Sequence, residues 1–239
     1  MFPTFRLGRV LGFGIDVSAS FLLLLAVVLF MTGGVAGVLV ALLAFASVLV
    51  HELGHALVAR HLDVHVDSIE LHFFGGAAKM VQAPRRPNDE IAIAAAGPAV
   101  SFALGGAALL LHALSGVGLF ATLGWVNLVI GGFNLLPALP MDGGRILRAA
   151  LARRMPFARA THLAVRVARW IAAGLAVFGV FSGSLYLVLL AGLLWMMGTR
   201  ELAMVTLGHS HYRDAPEVEV LPRDFPGARV RRTAPPGWY

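Results

Sequence analysis

The sequence contains no cysteine and very few charged residues. The absence of cysteine among its 239 residues excludes disulfides and cysteine-rich metal sites. Only 13% of the residues are charged, about half the share that a soluble domain usually carries. Hydrophobic residues make up 58% of the chain, and the mean hydropathy is +0.79. These proportions exclude an ordinary soluble domain and predict a protein that spans a membrane several times.

Acidic residues are scarcer than basic ones. The chain has 13 acidic and 19 basic residues, which gives a net charge of +6. In a soluble protein this excess would suggest nucleic acid as a partner. In a membrane protein the anionic face of the bilayer attracts such residues. We therefore expect the lipid bilayer as a partner and no nucleic acid.

Charge is missing entirely from Val17 to Val50. Since one membrane span needs about 20 residues, this stretch is too long for a single helix. The Thr-Gly-Gly sequence at 32–34 provides a break, so we predict one span near 17–32 and a second near 35–60. A cleaved signal peptide is the alternative for the first span, but no small-residue cleavage site follows it.

Four further spans are predicted along the chain. After a polar interval, 61–90, the third span lies near 91–114 and the fourth near 117–136. An arginine-rich segment, 145–169, leads into the fifth span, near 163–182, and the sixth span ends near Glu201. We expect residues 1–208 to form one domain. Residues 209–239 are expected to form a loosely ordered, polar cytoplasmic tail.

Lysine and arginine are absent from the predicted turns at 32–34, 113–118 and 182–184. With six spans, all 19 basic residues fall on one side of the membrane. The positive-inside rule makes that side the cytoplasm, so we expect both termini there and the protein in the plasma or inner membrane. The seven arginines between 145 and 169 are expected to bind lipid headgroups, with docking of a substrate or partner as the alternative.

A strand is predicted in the interval after the second span. Within residues 67–84, Ile69 and Leu71 alternate with Glu70 and His72, and two glycines at 75–76 mark a bulge or turn. The predicted fold class is therefore an all-α polytopic membrane protein, with six transmembrane helices and a small membrane-associated β element between the second and third. Such a strand could bind an extended substrate, or it could be a hairpin without substrate contact.

The stretch "SVLVHELGHALVAR" places three ionisable residues in an apolar helix. Positions i and i+4 share a helix face, so His51 and His55 can both bind one metal ion. Glu52 lies beside that face, where it can take a proton from a metal-bound water. The alternative is that the two histidines only make hydrogen bonds between packed helices.

A third metal ligand is predicted in "GGFNLLPALPMDGGRIL", at Asp142. This residue follows the fourth span on the side of the membrane where the histidine pair lies. Pro137 and Pro140 break the helix, so the carboxylate can turn inward, and two glycines at 143–144 allow close backbone packing. The alternative is a capping aspartate in an ordinary Asp-Gly turn.

Together these motifs resemble the site-2 protease family of intramembrane zinc metalloproteases, peptidase family M50. The resemblance rests on HELGH and on Asn134-Leu-Leu-Pro followed by Met-Asp142-Gly-Gly, with support from "GFGIDVSASFLLLL" and "AAAGPAV". It implies one zinc ion per chain, held by His51, His55 and Asp142, with Glu52 as general base and acid. Asn134 would bind the substrate or its oxyanion, or else would only make a hydrogen bond at a helix end.

The six-span layout resembles the prokaryotic members that include the sporulation pro-sigma processing protease. We do not expect the PDZ or CBS domains that many members carry, because no interval is long enough. The resemblance implies hydrolysis of a peptide bond in or near the transmembrane segment of a membrane-protein substrate. A metal-ion transporter that uses the same cluster and an inactive, protease-like scaffold are the alternatives.

Overall fold

The computed structural model describes residues 4–21, 34–72, 75–80, 84 and 86–213. These residues form four strands and six named helices. In chain order the elements are β1 (Thr4–Val10), β2 (Phe13–Ser18), α1 (Val35–His61), β3 (Val66–His72), β4 (Gly75–Met80), α2 (Pro87–Ser115), α3 (Gly118–Asn134), α4 (Asp142–Ala152), α5 (Phe157–Phe181) and α6 (Leu185–Arg213).

The helices follow the predicted spans closely in the middle of the chain and less closely at its ends. Helices α1, α2 and α3 match the second, third and fourth predicted spans to within a few residues. Helix α5 begins at Phe157, before the predicted 163, and α6 continues past Glu201 to Arg213. Within the described residues, α1, α2, α5 and α6 are long and apolar enough to cross a membrane, whereas α3 is a shorter apolar helix.

The first predicted span lies mostly outside the described residues. Its predicted start was too early, because Val17 and Ser18 belong to strand β2 and the chain turns helical only at residue 19. Residues 22–32 of this prediction, and residues 214–239 of the predicted tail, are outside the described part of the chain.

The four strands form one mixed sheet in the order β1-β2-β3-β4. The outer pairs are antiparallel, and β2 pairs with β3 in parallel. The strand prediction in the 67–84 interval is confirmed by β3 and β4. The predicted all-α class placed its β element in that interval alone. This was incomplete, because residues 4–18 supply two of the four strands. Phe13, Ile15 and Val17 are buried there, so the sheet gains a core that the interval alone could not supply.

Helix α1 is packed between the sheet and α2. Its residues Leu53, Ala56 and Ala59 share one core with Ile69 of the sheet and Ile93 of α2. Small residues on both helices allow close approach: a Cβ added to Gly54 would lie 3.1 Å from the carbonyl oxygen of Ala96. Polar side chains on this part of α1 are therefore enclosed by protein.

Helix α4 begins directly after the bend at residues 135–141. Its first turn lies tightly against that bend, because a Cβ on Gly143 would collide with the backbone of Leu135, and one on Gly144 with the backbone at Ala138–Leu139. The predicted close packing of the two glycines is therefore present. It fixes Asp142, the first residue of α4, relative to the end of α3.

Candidate metal centre

Two buried histidines lie one turn apart on the inner face of α1. Only 2% of His51 and 3% of His55 is exposed. Their ring centroids are 4.8 Å apart, and their Nε2 atoms approach to 3.1 Å. Two imidazole nitrogens therefore point at the same small volume inside the helix bundle.

Helix α2 orients both imidazole rings. The Nδ1 atom of His55 donates to the carbonyl oxygen of Ile93 at 2.6 Å, and Nδ1 of His51 lies 2.9 Å from the hydroxyl oxygen of Ser101. A carbonyl can only accept, so the proton of a neutral His55 is on Nδ1 and its Nε2 carries a lone pair. If His51 donates likewise to Ser101, both Nε2 atoms are free to bind a cation.

The carboxylate of Asp142 completes a triangle of donor atoms. Its Oδ2 lies 3.1 Å from Nε2 of His51 and 3.1 Å from Nε2 of His55. The expected alternative, a capping role, is not seen in the described structure, where the start of α4 has no side-chain cap.

The donor triangle, defined as Nε2 of His51, Nε2 of His55 and Oδ2 of Asp142, fits a tetrahedral metal ion. Its atoms are 3.1 Å apart in each pair. Tetrahedral zinc with bonds of about 2.0 Å places its ligand atoms about 3.3 Å apart. Atoms of this kind approach so closely either when they share protons or when a cation lies between them. Two imidazoles and one carboxylate also form a common ligand set for zinc in proteins, and they leave a fourth position open.

Gly97 of α2 leaves the space beside the triangle free. A Cβ added at this position would lie 2.6 Å from Nε2 of His51 and still closer to Nε2 of His55. Any side chain there would enter the volume in which the donor atoms converge. The glycine therefore keeps open the space that a bound metal ion requires.

Glu52 lies next to the triangle and faces the sheet. Its carboxylate is within 4.8 Å of the donor atoms of both histidines, and the side chain is partly buried. Strand β4 passes close to it, because a Cβ on Gly76 would lie 2.5 Å from Cγ of Glu52. A carboxylate in this position can exchange a proton with a molecule bound at the fourth metal position.

Comparison with known proteins places the chain in a family. Residues 37–123 and 112–175 match Peptidase family M50, and these ranges contain both the histidine pair and Asp142. The chain belongs to peptidase family M50. This confirms the resemblance that the two motifs indicated.

Individual relatives agree with membership in the M50 family. The chain is 36% identical over 194 residues to a zinc metalloprotease of Methanocaldococcus jannaschii, covering 78% of this chain and 57% of the relative. It is 34% identical over 146 residues to stage IV sporulation protein FB of Bacillus subtilis, covering 60% of this chain and 50% of that protein. The chain thus spans about half the length of these curated relatives.

A solved structure shows the same fold. The site-2 protease from Methanocaldococcus jannaschii superposes with a TM-score of 0.67 at 34% sequence identity. The match covers 84% of this chain and 95% of the other. The helical bundle and sheet described above therefore form an architecture shared with a known M50 structure.

Asn134 of this M50 chain is not part of the donor cluster. It is the last residue of α3, it is half-buried, and its Nδ2 donates to the carbonyl oxygen of Ile130 at 3.0 Å. In the described structure it makes no hydrogen bond to the histidines or to Asp142. The helix-end hydrogen bond expected as an alternative is thus present. A role of Asn134 in binding a substrate stays a prediction.

Ser101 was not among the predicted site residues of the M50 chain. It is fully buried, and it is the residue of α2 that faces Nδ1 of His51. A signal was available, because Ser101 is the only polar residue between Glu90 and His112 in the sequence. An isolated polar residue within an apolar span indicates a specific partner inside the bundle.

Proposed function

We propose that this chain is an intramembrane zinc metalloprotease that hydrolyses a peptide bond within or near the transmembrane segment of a membrane protein. The observation that carries the proposal is the donor triangle, packed against Gly97 and flanked by Glu52. The names of its M50 relatives, zinc metalloprotease and site-2 protease, support the same activity.

In this proposal His51, His55 and Asp142 hold one zinc ion per chain. When bound, zinc polarises the scissile carbonyl and makes a water molecule acidic enough to lose a proton near neutral pH. Glu52 accepts that proton and then passes it to the leaving amine. Asn134, whose helix ends close to the bend before Asp142, binds the substrate backbone or its developing negative charge.

Strand β4 is proposed to hold the substrate in an extended form. A helical transmembrane segment hides its carbonyl groups in its own hydrogen bonds, so it must unwind before hydrolysis. Strand β4 is an edge of the described sheet, and Gly76 brings it against Glu52. A peptide added to this edge would gain backbone hydrogen bonds close to the proposed base.

The proposed setting is the plasma or inner membrane, with six spans and both termini in the cytoplasm. The four long apolar helices support a polytopic protein, and the one-sided distribution of basic residues supports the orientation. His51 lies ten residues before the end of α1 at His61, which is about 15 Å along a helix. The site would thus lie between the cytoplasmic face and the middle of a hydrocarbon core of about 30 Å.

The decisive experiment replaces Glu52 with glutamine. Purified full-length protein is incubated in detergent with a single-span client, identified by comparing the membrane proteomes of cells that express the wild type or Glu52→Gln. Because glutamine cannot accept the proton, cleavage should fall by about 100- to 10,000-fold. The zinc content should stay near one per chain.

The variant His51→Ala serves as the comparison, since it should lose zinc and activity together. Undiminished cleavage by Glu52→Gln would overturn the mechanism. Zinc flux through reconstituted vesicles, with no proteolysis, would favour the transporter instead.

A further inference from the structure

A second buried charge cluster lies outside the donor triangle. Arg148 of α4 donates through Nε and Nη2 to Oε1 of Glu90, at 3.2 and 2.5 Å, and through Nη1 to Oε1 of Glu201 at 2.6 Å. Its guanidinium also lies 4.9 Å from the ring centroid of Phe157. The expectation that this arginine binds lipid headgroups was wrong, because it is buried and paired with protein carboxylates. The proposed mechanism does not use the cluster.

The guanidinium of Arg148 depends on both carboxylates. Burial by itself would lower the pKa of Arg148, but Glu90 and Glu201 outweigh it and raise the pKa above its ordinary value. The arginine therefore stays charged inside the protein. Removing one partner of a buried ion pair leaves charge without compensation, so helix α4 is tied strongly to the helices that carry these carboxylates.

Glu90 belongs to the helix stripe that shapes the metal centre. Glu90, Ile93, Gly97 and Ser101 are spaced three or four residues apart, so they occupy one face of α2, and all four are buried. Ile93 accepts from His55, Gly97 leaves space at the triangle, and Ser101 contacts His51. A side chain that binds Glu90 is therefore held at a fixed position relative to α2, the helix that orients both imidazoles.

Two polar contacts hold α4, in addition to the packing of Gly143 and Gly144 against the bend before it. Asp142 reaches the histidines from its first residue, and Arg148 reaches Glu90 six residues later, about 9 Å along the axis. A slide or rotation of α4 would break the second contact and move the carboxylate out of the triangle.

Resting on the proposed function, we infer that the ion pair between Arg148 and Glu90 is a positioning device that keeps Asp142 in the donor triangle. Glu201 binds the same guanidinium from α6, a helix that supplies none of the described contacts to the triangle. Comparing the loss of Glu90 with the loss of Glu201 therefore separates an effect on Asp142 from a general loss of stability.

The test compares Glu90→Gln with Glu201→Gln in the purified full-length protein. Each variant removes one carboxylate from the same arginine with little change of shape, and both should lower the Tm. Zinc affinity is measured by competition with a chelator, and the cobalt-substituted protein is followed by its visible absorption. Glu90→Gln should weaken zinc binding by about tenfold and should alter the cobalt spectrum. This is the lower end of the range for losing a direct partner of a metal ligand, because Glu90 acts on Asp142 through Arg148 and helix α4.

Glu201→Gln should weaken zinc binding by less than about threefold, because α6 does not orient any metal ligand. Equal weakening in the two variants, in step with their loss of Tm, would overturn the positioning role. If Glu90→Gln does not fold, Glu90→Asp retains the charge but shortens the reach, and it should show the same selective loss of zinc affinity.

The variant His51→Ala separates this inference from the proposed function. If His51→Ala binds zinc as tightly as the wild type, the metal site itself is wrong. If His51→Ala loses zinc while Glu90→Gln retains wild-type affinity, only the positioning role is refuted.

Discussion

Two glycines line the site, one on a helical wall and one on a sheet wall, and each leaves space for a different group. On the helical wall, Gly97 of α2 faces the nitrogen atoms of both histidines. On the sheet wall, Gly76 of β4 faces Cγ and Cδ of Glu52. Neither position has room for a methyl group, but one methyl would enter the donor triangle and the other would displace the proposed base.

This difference separates binding of the metal from transfer of the proton. Helix α2 also fixes the histidine rings through Ile93 and Ser101, so the helical wall controls the donor atoms. The sheet wall approaches Glu52, which is not a member of the triangle. Substitutions on the helical wall should therefore change zinc affinity and activity together, whereas those on the sheet wall should change activity alone.

The largest effect is expected for Gly97→Ala. The new Cβ would lie 2.6 Å from Nε2 of His51, where it would compete for space with a metal ion bound by both histidines. Since losing an outer-shell partner already costs up to about a hundredfold in affinity, a direct intrusion should cost at least that much. Chelator competition on the purified protein measures the change.

Gly106→Ala on the same helix is the matched control. No described atom lies within 4 Å of a Cβ at this position, so zinc affinity should be unchanged. Wild-type zinc binding by Gly97→Ala would show that the metal does not occupy the space beside this glycine.

A smaller and more selective effect is expected for Gly76→Ala. Its Cβ would lie 2.5 Å from Cγ of Glu52 and would push that side chain away from its present position. A misplacement of about 1 Å can cost up to about a hundredfold in rate, so kcat should fall by about 10- to 100-fold. Zinc content, measured on the same preparation, should stay at the wild-type level. A parallel loss of zinc would show that the two walls are not independent.

Much of the site could be predicted from the sequence because its geometry is local. The spacing of His51 and His55 places both rings on one helix face whatever the tertiary structure is. Asp142 could be found because two prolines break the helix before it and two glycines follow it. The structure brings these three side chains together, and their roles as ligands remain predictions that the variants above test.

The parts that were missed depend on contacts between distant residues. Glu90 and Arg148 are 58 residues apart, and neither has a neighbour in sequence that indicates the other. Strand β2 is stabilised by pairing with β3, which follows the whole of helix α1 in the chain, and β1 is added to the sheet by pairing with β2. Such pairing is decided by tertiary packing, so a local pattern of apolar residues could not predict it.

The smallest effect is expected for Ser101→Ala, which tests the helical wall without filling any space. The substitution removes the hydroxyl 2.9 Å from Nδ1 of His51 and leaves that buried nitrogen without its partner. The ring then loses a contact that orients its Nε2 toward the metal, so zinc affinity should fall by about tenfold. Ser115→Ala is the matched control, because the Ser115 hydroxyl donates to the carbonyl of Leu111 and accepts from the backbone N–H of Val117, both near the exposed end of α2. If both variants bind zinc equally well, the helical wall acts on the metal through Gly97 and Ile93 rather than through this serine.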